Sequence, residues 1–340
     1  MKISVIIPIY NCEKEISRLL DSIVNQKWGK EDLEVIACDD NSTDKCMEIV
    51  ESYKDKLNII CCKTKEREIH CPGNTRRDAM EYASGEWITF IDNDDEFEND
   101  VFNSVWEQIE AQKASTVMCC RMRNVNYFNH SLDEDIDFND TWLHGKFYNK
   151  QFLNKYNINF KENLESHEDI YFNTFIIKEI MKNGLQDFCY FDKIVYHWIY
   201  RPNSLSRQYN NEKYLYIETY FSDYLLASSY QYLVNIQNEN AFDFYLHQIL
   251  MTILHGYFYL QAFEYRHQNV ENDELYLSNY KKYKELVLQV LETYNLTLDN
   301  IINYIYSIPK LYSKIRKNCI FGTSFFIEKS SFSDFLKNLK

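Results

Sequence analysis

Apolar positions in the first 120 residues switch between two spacings, and each spacing predicts an element. Ile3 to Ile7 is a short β-branched run closed by Pro8 and followed by Tyr10-Asn11, which reads as a strand. From Glu13 the apolar residues Ile16, Leu19, Leu20, Ile23 and Val24 recur at helical spacing, predicting an amphipathic helix to about Gln26. Leu33 to Cys38 is a second strand, and Cys46, Ile49 and Val50 mark the inner face of a second helix, capped by Ser42 or Thr43. Leu57 to Cys62 is a third strand. Gly73-Asn74 opens a helix that carries Arg76, Arg77, Met80 and Ala83 and stops at Gly85. Trp87 to Ile91 is a buried strand running straight into Asp92-Asn93-Asp94-Asp95, followed by a helix over about 100–112 and a strand over 116–120. Alternation of this kind predicts a mostly parallel sheet with right-handed crossovers.

Periodicity weakens over 121–160. It returns at Glu168-Asp169, which open an apolar helix through Ile170, Phe172, Phe175 and Ile176, and in a strand from Lys193 to Trp198. Beyond about 212 the pattern is helical throughout, over Tyr214–Val234, Ala241–Phe263 and Glu274–Tyr294. The second of these is the most apolar, but Asp243, His247, His255 and Gln261 interrupt it, so it does not predict a bilayer span. The boundaries expected are a domain over 1–210 and a helical region over 211–340.

Composition and charge adjust this picture in four ways. A net charge of −14 disfavours a nucleic-acid backbone as partner. Ten cysteines contain no Cys-x-x-Cys pair, so they read as small core residues of a reduced, cytoplasmic protein. Met1-Lys2-Ile3 enters a strand at once, with no signal peptide expected. The last stretch, 309–340, carries Lys310, Lys314, Arg316, Lys317, Lys329, Lys337 and Lys340 against only Glu328 and Asp334. It is either a solvated end or a patch for anionic headgroups at the inner face of the cytoplasmic membrane.

The acidic loop after the Trp87 strand is where chemistry is expected. In open α/β sheets ligands gather at the carboxyl ends of strands. Three carboxylates there repel one another unless a positive group joins them. A divalent cation holding a diphosphate answers that need, and hard oxygen ligands suit Mg²⁺ or Mn²⁺. No Gly-x-Gly-x-x-Gly follows the first strand, against a dinucleotide fold.

Four stretches in this order and spacing resemble the family 2 glycosyltransferases. They are Val5-Ile6-Ile7-Pro8-Ile9-Tyr10-Asn11, Asp39-Asp40-Asn41-Ser42-Thr43-Asp44, Asn74 to Glu86, and Phe90-Ile91-Asp92-Asn93-Asp94-Asp95. The resemblance covers roughly 1–210. It implies an α/β fold of GT-A type, with a mostly parallel central sheet flanked by helices and, here, an α-helical C-terminal extension. It also implies an inverting enzyme that takes a UDP-sugar donor and a glycan or lipid-linked glycan acceptor, with Mn²⁺ or Mg²⁺. Pro8, Tyr10 and Glu13 are then the wall beside uracil and ribose, with Asp39 or Asp40 accepting from the uracil N3–H. Arg76 faces the phosphates or sugar, Asp92 and Asn93 lie on the donor side, and Asp94 contacts the metal. Asp169 is the general base with Glu168 beside it, and His167 is an alternative base. Trp142, Lys146 and Tyr148 resemble the sugar-pocket stretch. His197, Arg201, Ser204 and Ser206 resemble a segment that closes over the diphosphate, with His197 a candidate metal ligand. Arg77 and Ala79 depart from the family's usual Asn and Gly.

The setting implied is synthesis of a bacterial surface polysaccharide, lipooligosaccharide or capsule. Two other readings remain: a sugar-1-phosphate nucleotidyltransferase, which should carry a Gly-rich loop that Pro8-Ile9-Tyr10-Asn11 lacks, and a non-catalytic glycan-binding module. The helices after 212 are candidates for pairing two copies.

Overall fold

The computed structural model describes residues 1–67, 70–164 and 168–201, and beyond these 250, 253–254, 256–257, 260, 273–307 and 329–338. The chain divides into two compact units, Met1–Gln208 and Tyr209–Lys340.

The first unit is built on one sheet. Its strands are β1 (Ile3–Ile9), β2 (Leu33–Asp39), β3 (Asn58–Lys63), β4 (Trp87–Phe90), β5 (Glu96–Phe97), β6 (Val117–Val125), β7 (Glu134–Ile136), β8 (Lys146–Asn149) and β9 (Cys189–Ile199). They lie in the order β3-β2-β1-β4-β8-β6-β9-β5, with β7 on β6. β1 runs parallel to both β2 and β4, β8 pairs antiparallel with β4, and β9 returns parallel to β6. The helices are α1 (Ile16–Val24), α2 (Cys46–Ser52), α3 (Pro72–Ala79), α4 (Phe102–Gln112), α5 (Lys150–Lys155) and α6 (Glu168–Asn183).

β1 and β2 are buried along their whole length, as strands covered on both faces must be. Side-chain alternation sends Ile3, Val5, Ile7 and Ile9 to the core shared with Leu19, Leu20 and Phe102. Ile6, Ile36, Ile88 and Phe90 go to the other face, against Phe160, Phe172 and Ile176. The second core seats α6: Phe160 and Phe172 stack at 4.3 Å, and Phe90 meets both edge-on at 5.2 and 5.8 Å. Each such aromatic pair adds about 0.5–1.5 kcal/mol beyond area burial, so the head of α6 is firmly placed beside β4.

Two departures from the sequence expectation have physical reasons. β1 runs past Pro8 to Ile9, because β4 has ended at Phe90 on the side where the missing Pro8 N–H would point. There the Pro8 carbonyl accepts from Asn93 Nδ2 at 3.0 Å. Residues 121–160, expected to be irregular, hold the end of β6 together with β7 and β8. Their short strands are stabilised by partners far away in sequence, such as Thr89 opposite Phe147.

All nine described cysteines are free. Among the described residues no helix is long and apolar enough to cross a membrane.

The second unit is helical where described. Leu250, Ile253, Leu254, Tyr257 and Leu260 are buried at helical spacing. The helix Glu274–Thr293 is capped by Asp273, which accepts from Tyr276 N–H, and Tyr283 donates to the Ile253 carbonyl at 2.7 Å. Phe335, from Lys329–Asn338, packs on Tyr257 and Tyr283 at 4.9 and 5.8 Å. The expected helix Tyr214–Val234, most of Ala241–Phe263, and the basic positions Lys310, Lys314, Arg316, Lys317 and Lys340 lie outside the described residues.

Candidate active site

The carboxyl ends of β1, β2 and β4 open onto one edge of the sheet. After β4, Ile91 N–H still donates to the Ile6 carbonyl at 3.1 Å, and the chain then turns so that Asp95 N–H reaches the Asp92 carbonyl at 3.1 Å. The turn spreads its three acids into different surroundings.

Asp92 is bonded by Arg76 Nη2 at 2.5 Å and lies 3.8 Å from His144 Nε2. Burial alone would raise its pKa, but Arg76 and His144 outweigh that and hold it well below the usual carboxylate range. Asp94 pairs with Arg201 Nη2, and its backbone oxygen accepts from Arg18 Nη2 at 2.5 Å. Burial and the neighbouring Asp92 push its pKa up, with Arg201 offsetting only part. Asp95 is 1% exposed and spends both oxygens inside the protein, accepting from Tyr196 Oη at 2.5 Å and Ile199 N at 2.8 Å. Burial and the other two acids raise it far above its ordinary value.

The Glu168-Asp169 pair arrives on the first turn of α6. Gly73 lets α3 and α6 touch, since a Cβ there would stand 3.0 Å from Glu168 Cβ and Cγ. Arg76, one turn further along α3 and 4% exposed, therefore reaches Glu168 Oε1 with Nη1 at 2.5 Å while Nη2 holds Asp92. Burial raises Glu168 to about 7, with Arg76 opposing and Asp169 adding. Asp169 Oδ1 accepts from the Ile170 N–H at 2.8 Å. Arg76, expected to face the donor phosphates or sugar, has both arms of its fork on carboxylates.

On the opposite wall, Asn11 and the turn after β2 are laced together. Asn11 Oδ1 accepts from Thr43 N at 2.8 Å, Glu13 N–H donates to Asp44 at 2.8 Å, and Glu13 Oε2 accepts from Lys45 N at 3.2 Å. Asn11 and Asn41 take the left-handed backbone region, at φ 44° and 61°, where Asn is tolerated. Asp39 closes the turn by accepting from Ser42 N at 2.9 Å, whereas Asp40 meets the His70 ring at 3.0 Å. Asp39 is thus spent on closing the turn, while α2 starts after Lys45 with no side-chain cap, so the cap expected from Ser42 or Thr43 is not formed; Asp40 stays the base-contact candidate. Tyr10 stands 59% exposed beside them. Arg77 donates to the Phe160 carbonyl at 2.6 Å and pairs with Glu162 at 3.1 Å, a structural role.

Three expected residues lie elsewhere. Lys146 is fully buried and donates to the backbone oxygens of Asn139 and Trp142, with burial pulling its pKa down. It braces the 139–146 turn and cannot line a sugar pocket. His197 bonds Glu98 at 3.1 Å and faces Glu96 at 3.9 Å, on the β9 face opposite Tyr196 and Trp198. Beside it a cavity of about 650 Å³, lined by Arg18, Glu96, Arg123 and Tyr127 among others, contains none of Asp92, Glu168 and Asp169. Tyr148 is a core residue, donating to Asn173 at 2.9 Å. His167, Ser204 and Ser206 lie outside the described residues.

In place of His197 the fold brings up His144, which no sequence signal singled out. Its ring sits among Tyr196, Trp142 and Trp198 at 4.9, 6.1 and 6.1 Å, and Trp142 meets it edge-on. Asp92, Asp95 and His144 each offer one atom, all within 4.8 Å of one another, and His144 Nδ1 is buried without a hydrogen-bond partner among the described residues. Two carboxylates and an imidazole suit Mn²⁺, and Mg²⁺ on the oxygen side; the residues fit a divalent cation.

Three comparisons with known proteins bear on the family and the fold. A poly(ribitol-phosphate) beta-glucosyltransferase of Bacillus spizizenii is 37% identical over 126 residues, which is 37% of this chain and 20% of that one. The poly(ribitol-phosphate) beta-N-acetylglucosaminyltransferase TarS of Staphylococcus aureus is 34% identical over 182 residues, 50% of this chain and 31% of that one. The matched stretches thus span about a fifth to a third of those relatives. The crystal structure of S. aureus TarS 1–349 in complex with UDP-GlcNAc superposes with a TM-score of 0.66 at 22% identity, over 96% of this chain and 94% of that one, which establishes the GT-A-type α/β fold. The profile described as "Glycosyl transferase family 2" matches residues 4–185, more than half of the chain, and the chain therefore belongs to glycosyl transferase family 2.

Proposed function

We propose that residues 1–210 transfer a hexose or N-acetylhexosamine from a UDP-sugar to a hydroxyl of a glycan or lipid-linked glycan acceptor, with inversion at the anomeric carbon. The observation that carries this reading is the Arg76 bridge. It joins the loop that would hold a diphosphate to the carboxylate pair that would meet an acceptor, so both halves of a displacement share one site. Family membership and relatives named as glucosyl- and N-acetylglucosaminyltransferases support the reaction class.

Pro8, Tyr10, Glu13 and Asp40 would receive the uracil and ribose, with Asn93 fixed to the Pro8 carbonyl between them and the acids. Asp92 and Asp94 would hold Mn²⁺ or Mg²⁺, with Asp95 and His144 next to Asp92. Such a cation supplies a Lewis acid that neutralises charge on a leaving diphosphate. Asp169 takes the proton from the acceptor hydroxyl, whose oxygen bonds to the anomeric carbon as the bond to UDP breaks. Glu168, tied to Arg76, orients the head of α6 and leaves Asp169 as the freer carboxylate. Trp142 offers an aromatic face to a sugar ring.

The product class we infer is a bacterial surface polysaccharide, and the place of work the inner face of the cytoplasmic membrane, reached through the basic 309–340 segment. The helical region after 211 is proposed to pair two copies. Incubating the protein with Mn²⁺ and a panel of UDP-sugars, and reading UDP release, tests the reaction class. No release from any UDP-sugar, with donor binding intact, would favour a non-catalytic glycan-binding module.

A further inference from the structure

Each acid in the loop after β4 already has a partner within the protein, and the partners differ in how tightly they are fixed. Arg76, on Asp92, is almost wholly buried and pinned from its other side by Glu168. Tyr196 and the Ile199 N–H, on Asp95, belong to buried residues of β9. Arg201, on Asp94, is different. Its side chain is 39% exposed, its second arm rests on Glu15 at 3.1 Å, and its Nε has no hydrogen-bond partner among the described residues.

We propose that Arg201 is a built-in counter-ion that competes with the divalent cation for the charge of Asp94, so that the cation is taken up together with the nucleotide diphosphate rather than ahead of it. This rests on the donor and cation site proposed above. A divalent cation draws its affinity from uncompensated carboxylates around it, and a guanidinium on Asp94 cancels one of them at contact distance. Arg76 cannot play this part, because leaving Asp92 would strand Glu168 as well. Arg201 can, because its planar fork fits phosphate oxygens as well as it fits a carboxylate. A diphosphate therefore gives the guanidinium another anionic partner and leaves Asp94 to the cation.

The test is Mn²⁺ binding to the full chain without nucleotide, read from loss of the free-ion electron paramagnetic resonance signal, then repeated with UDP. Arg201→Gln should bind Mn²⁺ about tenfold more tightly than wild type without nucleotide. UDP should tighten Mn²⁺ binding more in wild type than in the variant. A merely architectural arginine would lower affinity when removed, not raise it. Adding Asp94→Asn to Arg201→Gln should erase the gain, and a gain that survives it overturns the inference. Equal affinity of wild type and Arg201→Gln, with UDP still recruiting Mn²⁺ to wild type, overturns the inference and leaves the donor site standing. Failure of wild type to take up Mn²⁺ even with UDP overturns both.

Discussion

Arg76 and Glu168 stand 92 positions apart in the chain and meet at 2.5 Å. The same guanidinium holds Asp92 at 2.5 Å, so one side chain from α3 ties the loop after β4 to the head of α6.

Removing that tie leaves carboxylates without their cation. Breaking a buried ion pair by deleting one partner costs about 3–5 kcal/mol, and the partial exposure of Asp92 places Arg76→Met toward the lower end. Arg76→Lys keeps the charge but reaches only one carboxylate at a time. Both variants should melt several degrees lower by calorimetry, Lys less than Met, with kcat reduced more than the donor KM. A wild-type melting temperature in Arg76→Met would mean the bridge carries no stability.

Glu168 predicts a particular pH dependence. Its folded pKa is raised from 4.5 to about 7, so between those values the folded state holds more protons than the unfolded one. Stability from this group is fully present below about 4.5 and declines as pH rises toward 7. Glu168→Gln, fixed in the uncharged form, should flatten that decline. Denaturant midpoints at pH 5 and pH 7.5 check it, and an unchanged difference between wild type and variant would contradict the assignment.

Asp169→Asn should keep UDP-sugar binding and lower transfer by about two to four orders of magnitude, the span expected when general-base help is lost. Titration calorimetry with the donor, alongside turnover, separates the two effects. If the larger loss appears instead in Glu168→Gln, the base is Glu168.

The two histidines give a contrast. His144→Ala removes the imidazole next to Asp92 and should weaken Mn²⁺ binding in the presence of UDP by about 10–100-fold, the range seen when a metal site's supporting groups are lost. His197→Ala, on the other face of β9, should change it less than about twofold. Equal losses in both would return His197 to the site.

How far the sequence reached follows from what stabilises each part. β1 to β4 and α1 to α4 owe their form to local periodicity, so the spacing of Ile16, Leu19, Leu20 and Ile23 was enough to find α1. β8 was invisible because Lys146–Asn149 is a strand only by virtue of pairing with Thr89 and Met118. The same limit applied to the site. Asp92, Glu168 and Asp169 were legible as motif residues, but strand register alone decides that His197 turns away while Tyr196 and Trp198 face His144. The role of Lys146 was hidden for a different reason: its partners are backbone oxygens, which no side-chain pattern encodes. Arg76 was legible as a motif residue, but its reach to Glu168 was not, since that depends on the close α3–α6 approach at Gly73.

The central claim is that Asp92 and its neighbours hold a nucleotide diphosphate through a divalent cation. Titration calorimetry of UDP into wild type and Asp92→Asn, each with Mn²⁺ and with EDTA, addresses it directly. EDTA should weaken UDP binding at least about tenfold in wild type and have little effect in Asp92→Asn. UDP affinity that is the same with Mn²⁺ and with EDTA, and unchanged by Asp92→Asn, would contradict it.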